Sequence, residues 1–185
     1  MTFRKRLENL SIFHLFILAG IVLAVIQYFY NRSLWLDEAS LSVNIVSRDF
    51  AGLLKPLGNG QVAPIGFLFI ERFFVSIIGK NEFALRLFPM LCFFASLPLM
   101  YNLARILTKS RSVAILAVAM FCVSPWIQYY SSEVKQYMTD AFFGLAVFNF
   151  VLTSEFKSVR SYIYLGALGV IALYCSNVST IILFV

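Results

Sequence analysis

Between Asn9 and Asn31 the chain runs for 23 residues without a charged side chain. A helix crossing the hydrocarbon of a bilayer needs ~20 apolar residues, so this run is already long enough. Leu87–Ala104 adds 18 uncharged residues, Ser112–Ser132 adds 21 and Ser161–Val185 adds 25. Ala141–Ser154 gives only 14, and reaches spanning length if its helix begins near Tyr137. The chain is 61% hydrophobic and 13% charged, against roughly 25% charged residues in a soluble domain. The expected fold is therefore all-α and integral to a membrane, a single N-terminal transmembrane module over residues 1–185. It has about five transmembrane helices, near 12–30, 87–105, 112–130, 137–154 and 161–185. Because Ile181-Ile182-Leu183-Phe184-Val185 is apolar to the last residue, the chain is expected to be the N-terminal part of a longer protein.

Charge orients the spans. Arg4, Lys5 and Arg6 precede the first one and are expected to stay cytoplasmic. Tyr28-Phe29-Tyr30 stands where small residues would mark a cleavage site, so the first span reads as a retained anchor. The connectors holding Arg105, Lys109 and Arg111, and Lys157 and Arg160, are then cytoplasmic and net basic. The positive charge is topological and gives no reason to expect a nucleic-acid partner. The external segment from Asn31 to about Arg86 carries apolar residues at helical spacing over 37–57, and Pro64 opens a second apolar stretch over 64–79. Glu71-Arg72 interrupts that stretch, so both segments are expected to lie in the outer interface rather than to span. Cys92, Cys122 and Cys175 have neither metal-ligand spacing nor a paired pattern and read as small buried hydrophobes. His14, early in the first span, reads as hydrogen-bonded structure rather than a ligand.

Two acidic clusters fall on the external side. Asp37 and Glu38 follow the first span directly, and two adjacent carboxylates beside hydrocarbon are costly without a partner or a task. As local structure they suit a helix start, Asp37 at the N-cap and Glu38 in the first turn. The second loop reads Tyr129-Tyr130-Ser131-Ser132-Glu133-Val134-Lys135-Gln136-Tyr137-Met138-Thr139-Asp140, with Glu133 and Tyr137 at i, i+4 and Asp140 a turn beyond. A solvated span boundary with an aromatic belt would look the same.

Four pieces in order resemble the N-terminal part of GT-C-class polytopic glycosyltransferases. They are Leu36-Asp37-Glu38-Ala39, Gln61-Val62-Ala63-Pro64, Phe83-Ala84-Leu85-Arg86-Leu87-Phe88-Pro89, and Tyr130-Ser131-Ser132-Glu133-Val134-Lys135-Gln136-Tyr137. The chain is similar to bacterial relatives of protein O-mannosyltransferases (glycosyltransferase family 39) and of aminoarabinose transferases. The resemblance implies an inverting transfer of a sugar from a polyprenyl-phosphate carrier to an acceptor (protein, lipid or glycan) at the non-cytoplasmic face of a bacterial plasma membrane. It implies Asp37 as the catalytic carboxylate with Glu38 in support. A leaving phosphate needs positive charge or directed donors. Arg86 and Lys135 are the candidates, with Gln61, Glu133, Tyr137 and Asp140 as further substrate-binding positions. Two departures stand out. Ala63 replaces the first of two prolines found in many relatives. Glu133-Val134-Lys135 stands where related transferases carry Asp-x-Asp, and a lysine inside that motif argues against a divalent cation, which prefers clustered oxygens. Beside the enzyme stand two other readings, a non-enzymatic transport component and a partial or inactive fragment.

Overall fold

The computed structural model describes residues 3–183, with side chains from Ile12 onward; the side chains of Arg4, Lys5 and Arg6, and residues Phe184 and Val185, lie outside the described residues. Among these residues the chain is helical throughout, with ten helices and no strand. They are α1 (Phe3–Tyr30), α2 (Leu36–Ser47), α3 (Phe50–Leu53), α4 (Ile65–Ile78), α5 (Glu82–Thr108), α6 (Arg111–Val123), α7 (Pro125–Tyr130), α8 (Tyr137–Thr153), α9 (Val159–Cys175) and α10 (Val178–Leu183). Two stretches, Ile12–Tyr30 and Glu82–Thr108, are long and apolar enough to cross a membrane, while α6, α8 and α9 are shorter apolar helices.

Local chemistry sets the helix ends. α1 stops at Asn31, which takes a left-handed φ of 48°, a conformation asparagine tolerates better than most residues. The segment expected as one helix over 37–57 is two. Arg48 is extended, and the Asp49 carboxylate accepts from the Gly52 amide at 2.7 Å to start α3 afresh. α5 begins earlier than the uncharged run because Asn81 caps it, accepting from the Ala84 amide at 2.9 Å, which brings Glu82 and Arg86 into its first turns. The run 112–130 is not one helix either. Ser124 is extended ahead of Pro125, whose ring would clash with a continuing α6, and the chain restarts as α7. Likewise the last apolar run breaks at Ser176 between α9 and α10.

The helices lock through close approaches and a few polar ties. α1 meets α6 at Gly20, where an added Cβ would lie 2.5 Å from the Cys122 Cβ. Gln128 of α7 folds back over that crossing and donates to the carbonyl oxygens of Gly20 and Cys122. α5 runs beside α8, tied by Asn102 to Asn149 at 2.9 Å and by Asn149 to the Leu99 carbonyl at 2.9 Å. An apolar core of Ala24, Cys92, Phe93, Val118, Cys122 and Met138 fills the space between α1, α5, α6 and α8. A second core, including Leu41, Ile45, Phe67, Leu68, Leu85 and Val134, joins α2 and α4 to the start of α5 and to the loop before α8. α4 also packs on the end of α9, where Gly66 admits Tyr174 and Cys175. Of the Glu71-Arg72 pair that interrupts α4, Glu71 is fully buried within the protein. Arg72 is accommodated by donating to the Ile45 and Val46 carbonyls at 3.4 and 3.2 Å.

Candidate active site

The chain between α1 and α2 meets the loop between α7 and α8 along three consecutive residues, Glu133, Val134 and Lys135. The Trp35 indole N–H donates to Glu133 Oε1 at 3.2 Å. The Val134 amide donates to Glu38 Oε1 at 2.9 Å. Lys135 Nζ lies 2.7 Å from Asp37 Oδ2. Segments about 100 residues apart in sequence are thereby held edge to edge.

Asp37, Gln61 and Lys135 close a ring. Gln61 Nε2 donates to Asp37 Oδ1 at 2.8 Å, and Lys135 Nζ donates to Gln61 Oε1 at 2.8 Å as well as facing Asp37. The Asp37 side chain is 36% exposed while that of Lys135 is 7% exposed, so the carboxylate opens to the outside over a cation set beneath it. Hydrogen bonds from Lys135 and Gln61 hold the Asp37 carboxyl below its ordinary range. Beside Gln61 opens a groove of about 590 Å³ whose walls include Leu53, Leu57, Val62, Ala63 and Leu68.

Glu38, the neighbour of Asp37, has a different place. It is fully buried. Its carboxylate accepts from Arg32 at 2.9 and 3.3 Å, from the Trp35 amide at 3.3 Å and from the Val134 amide. With every direction occupied it fastens the two loops together and faces no opening. Arg86, expected at a phosphate, is also fully buried. Its guanidinium donates to Asn31 Oδ1 and to the Arg32 carbonyl, each at 2.7 Å, and so clamps the left-handed end of α1. The structure thus brings Asp37, Gln61, Glu133 and Lys135 together and sets Arg86 behind them.

Glu133 is 2% exposed, and only Oε1 has a partner; Oε2 is buried without one. Burial pushes its carboxyl up to about 6, with the Trp35 bond and the nearby Arg32 and Lys135 opposing and Glu38 reinforcing the shift. Tyr137 is 41% exposed at the same rim, with one side against Tyr130 at a ring-centroid distance of 4.9 Å. Asp140 sits apart from the cluster, against Ser176 and the backbone of Asn177 and Val178 ahead of α10.

Two residues here have no counterpart among the sequence candidates. Arg32 pairs with Glu38 and stacks over the Tyr129 ring, 4.4 Å from its centroid. Trp35 is bonded at both its amide and its indole. No spacing rule marks either one, because both follow from the return of the second loop. Among the described residues no group of three or more His, Cys, Asp or Glu is placed to hold a metal ion.

Among the described residues the chain is an all-helical bundle with two helices of membrane length and a carboxylate–lysine pair where its two loops meet. Residues 62–184 match the family model described as dolichyl-phosphate-mannose-protein mannosyltransferase, and the chain belongs to that family. It is thereby a membrane glycosyltransferase by kind, of a family named for a lipid-linked sugar donor and a protein acceptor. Arg86, Glu133, Lys135, Tyr137 and Asp140 fall inside the matched range, while Trp35, Asp37, Glu38 and Gln61 precede it. No curated protein and no solved structure matches the chain.

Proposed function

We propose that this chain carries the catalytic mouth of a glycosyltransferase that moves a sugar from a polyprenyl-phosphate carrier to an acceptor hydroxyl, with inversion, at the non-cytoplasmic face of a plasma membrane. The single observation that carries the proposal is Asp37, partly exposed, bonded at 2.7 Å to a lysine that is almost wholly buried. A base needs to be reachable, and a lysine fixed beside it supplies the charge that a departing phosphate requires.

In the proposed step the acceptor oxygen attacks the anomeric carbon in line with the bond to phosphate. The C–O bond to the carrier breaks and its electron pair stays on the phosphate oxygen. The acceptor proton passes to an Asp37 oxygen. As the carrier phosphate gains negative charge, Lys135 is drawn from Asp37 towards it. Asp37 loses the cation that depresses its basicity as the proton arrives, so one lysine serves both halves of the reaction. Gln61, which donates to Asp37 and accepts from Lys135, keeps both in register. Glu38 and Arg86 act on this chemistry only by position, by holding the loop that carries Asp37. Basic connectors at Arg105–Arg111 and Lys157–Arg160 support an orientation with the N-terminus cytoplasmic and the mouth outside.

The test is D37N in the full-length protein, assayed for transfer from radiolabelled dolichyl-phosphate mannose. Loss of a general base lowers turnover by about 10²–10⁴-fold, with little change in donor KM. Turnover equal to that of the unaltered protein would remove Asp37 from the chemistry.

A further inference from the structure

Trp35 stands two residues before Asp37 and is 49% exposed. An aromatic residue at a membrane mouth normally needs no further account, because tryptophan favours the interface for its mixed polarity. Here three observations go beyond that. The indole is not free to turn, since its N–H donates to Glu133 Oε1 at 3.2 Å while its own amide donates to Glu38 Oε2 at 3.3 Å. An indole N–H bond lies in the ring plane, so it fixes the ring by its edge rather than by a face. Trp126, Tyr129, Tyr130 and Tyr137 at the same rim each pair with a neighbouring ring, whereas Trp35 is in none of the ring pairs among the described residues.

Glu133 gives the second, independent sign. It is 2% exposed, and its Oε2 has no partner, so the pair retains an unused acceptor next to the ring. The contacts 35–133 and 37–135 are successive ties between the same two loops, so the indole and the Asp37 carboxylate are held by one pairing of chain.

We propose that Trp35, held by Glu133, is the platform on which the sugar ring of the lipid-linked donor stacks. A pyranose has one face rich in C–H bonds, whose slight positive charge suits the negative face of an indole. A ring seated there has its anomeric carbon towards Asp37 and its phosphate towards Lys135. The inference rests on the donor site proposed above and adds to it the group that recognises the sugar rather than the lipid phosphate. Trp35 is a substrate-contacting residue in this account and Glu133 a positioning residue that acts through it.

The experiment compares binding of dolichyl-phosphate mannose with that of dolichyl phosphate, which has the same lipid, no sugar and a phosphomonoester in place of the diester; the effect of each variant is read on each lipid separately. The full-length protein in nanodiscs is used, unaltered and as W35A, W35F and E133Q. The unaltered protein should prefer the mannosylated lipid. W35A should weaken the mannosylated lipid about tenfold, leave dolichyl phosphate within about twofold, and so erase the preference. W35F should fall between the unaltered protein and W35A, because a ring remains but the N–H that Glu133 holds is gone. A further variant, E133A, which removes the acceptor of the indole N–H, should lose most of the preference, and E133Q, whose amide oxygen still accepts, should restore it. Equal weakening of both lipids by W35A, or no weakening of either, would overturn the platform and leave Trp35 a membrane-interface residue. Failure of the unaltered protein to bind either lipid would overturn the donor site itself and this inference with it.

Discussion

An aspartate that keeps a lysine at 2.7 Å is ionised at neutral pH and a poor base, and both properties can be measured. K135M removes the cation from phosphate and carboxylate together. It is expected to lower kcat/KM for the lipid-linked donor by about 10²-fold, with K135R recovering part of the loss, read from steady-state transfer. Glu133 gives a pH dependence of opposite origin. Its carboxyl is raised from 4.5 to about 6, so between those values the folded protein holds a proton that the unfolded chain releases. Stability from this group is greatest below about 4.5 and falls as the pH rises through 6. E133Q, which has no proton to lose, should therefore gain in melting temperature relative to the unaltered protein on going from pH 4.5 to pH 7. Parallel melting curves for the two across that range would contradict the burial assigned to Glu133. The sequence made Asp37 and the Glu133-Val134-Lys135 segment visible, because charge at the edge of a span is rare and easily seen. It separated the roles of Asp37 and Glu38 only through the family resemblance, not through the residues themselves. Asp37 and Glu38 are adjacent and alike, and only the return of Val134 decides which one is closed in. Arg86 was visible as a cation near the mouth, but the left-handed Asn31 that occupies it cannot be read from spacing.

At the scale of helices, the tightest constraint is the crossing of α1 and α6. G20A places a Cβ 2.5 Å from the Cys122 side chain and 2.6 Å from its carbonyl oxygen, and backbone cannot step aside cheaply. Overpacking of this kind costs about 1–3 kcal/mol. G166A meets nothing within 4 Å on α9 and serves as its control. Thermal unfolding in one detergent should show G20A clearly destabilised and G166A unchanged or slightly more stable, as alanine favours helix. Equal melting of the two would show that α1 and α6 do not approach as closely as the coordinates place them. Hydropathy located each apolar stretch well and its interruptions poorly. A run of uncharged residues records side chains and is blind to backbone hydrogen bonding. Hence Ser124-Pro125 and Ser176 pass as apolar continuity although each ends a helix. The burial of Glu71 inside the protein depends on how α4 packs on its neighbours and is not carried by its own segment.

For the molecule as a whole, the ends of α1 and α7 and the starts of α2, α5 and α8 gather at one pole around Glu38 and Lys135. The connectors after α5 and after α8 fall at the other ends of those helices. If the mouth is external, single cysteines at Ser33 and at Ser158 should behave oppositely towards a membrane-impermeant maleimide in intact cells. S33C should label at once, and S158C only after the membrane is opened. The reverse pattern would invert the orientation drawn from the basic connectors. That orientation rests on the lysines and arginines of the connectors, which mark the cytoplasmic side by a rule of insertion. The meeting of the two loops was expected from the sequence only as a shared side. The contacts themselves depend on how α1, α5, α6 and α8 pack.

The account turns on the contact between Asp37 and Lys135, and a short thiol-to-thiol bridge tests it most directly. In a background with Cys92, Cys122 and Cys175 replaced by Ala, D37C and K135C should be joined in native membranes by a bifunctional methanethiosulfonate about 5 Å long. The joined product would be detected as an intrachain link by mass spectrometry. High-yield bridging, blocked by an impermeant thiol reagent added first, is the predicted result. Absence of the link while each cysteine alone reacts freely would contradict the site.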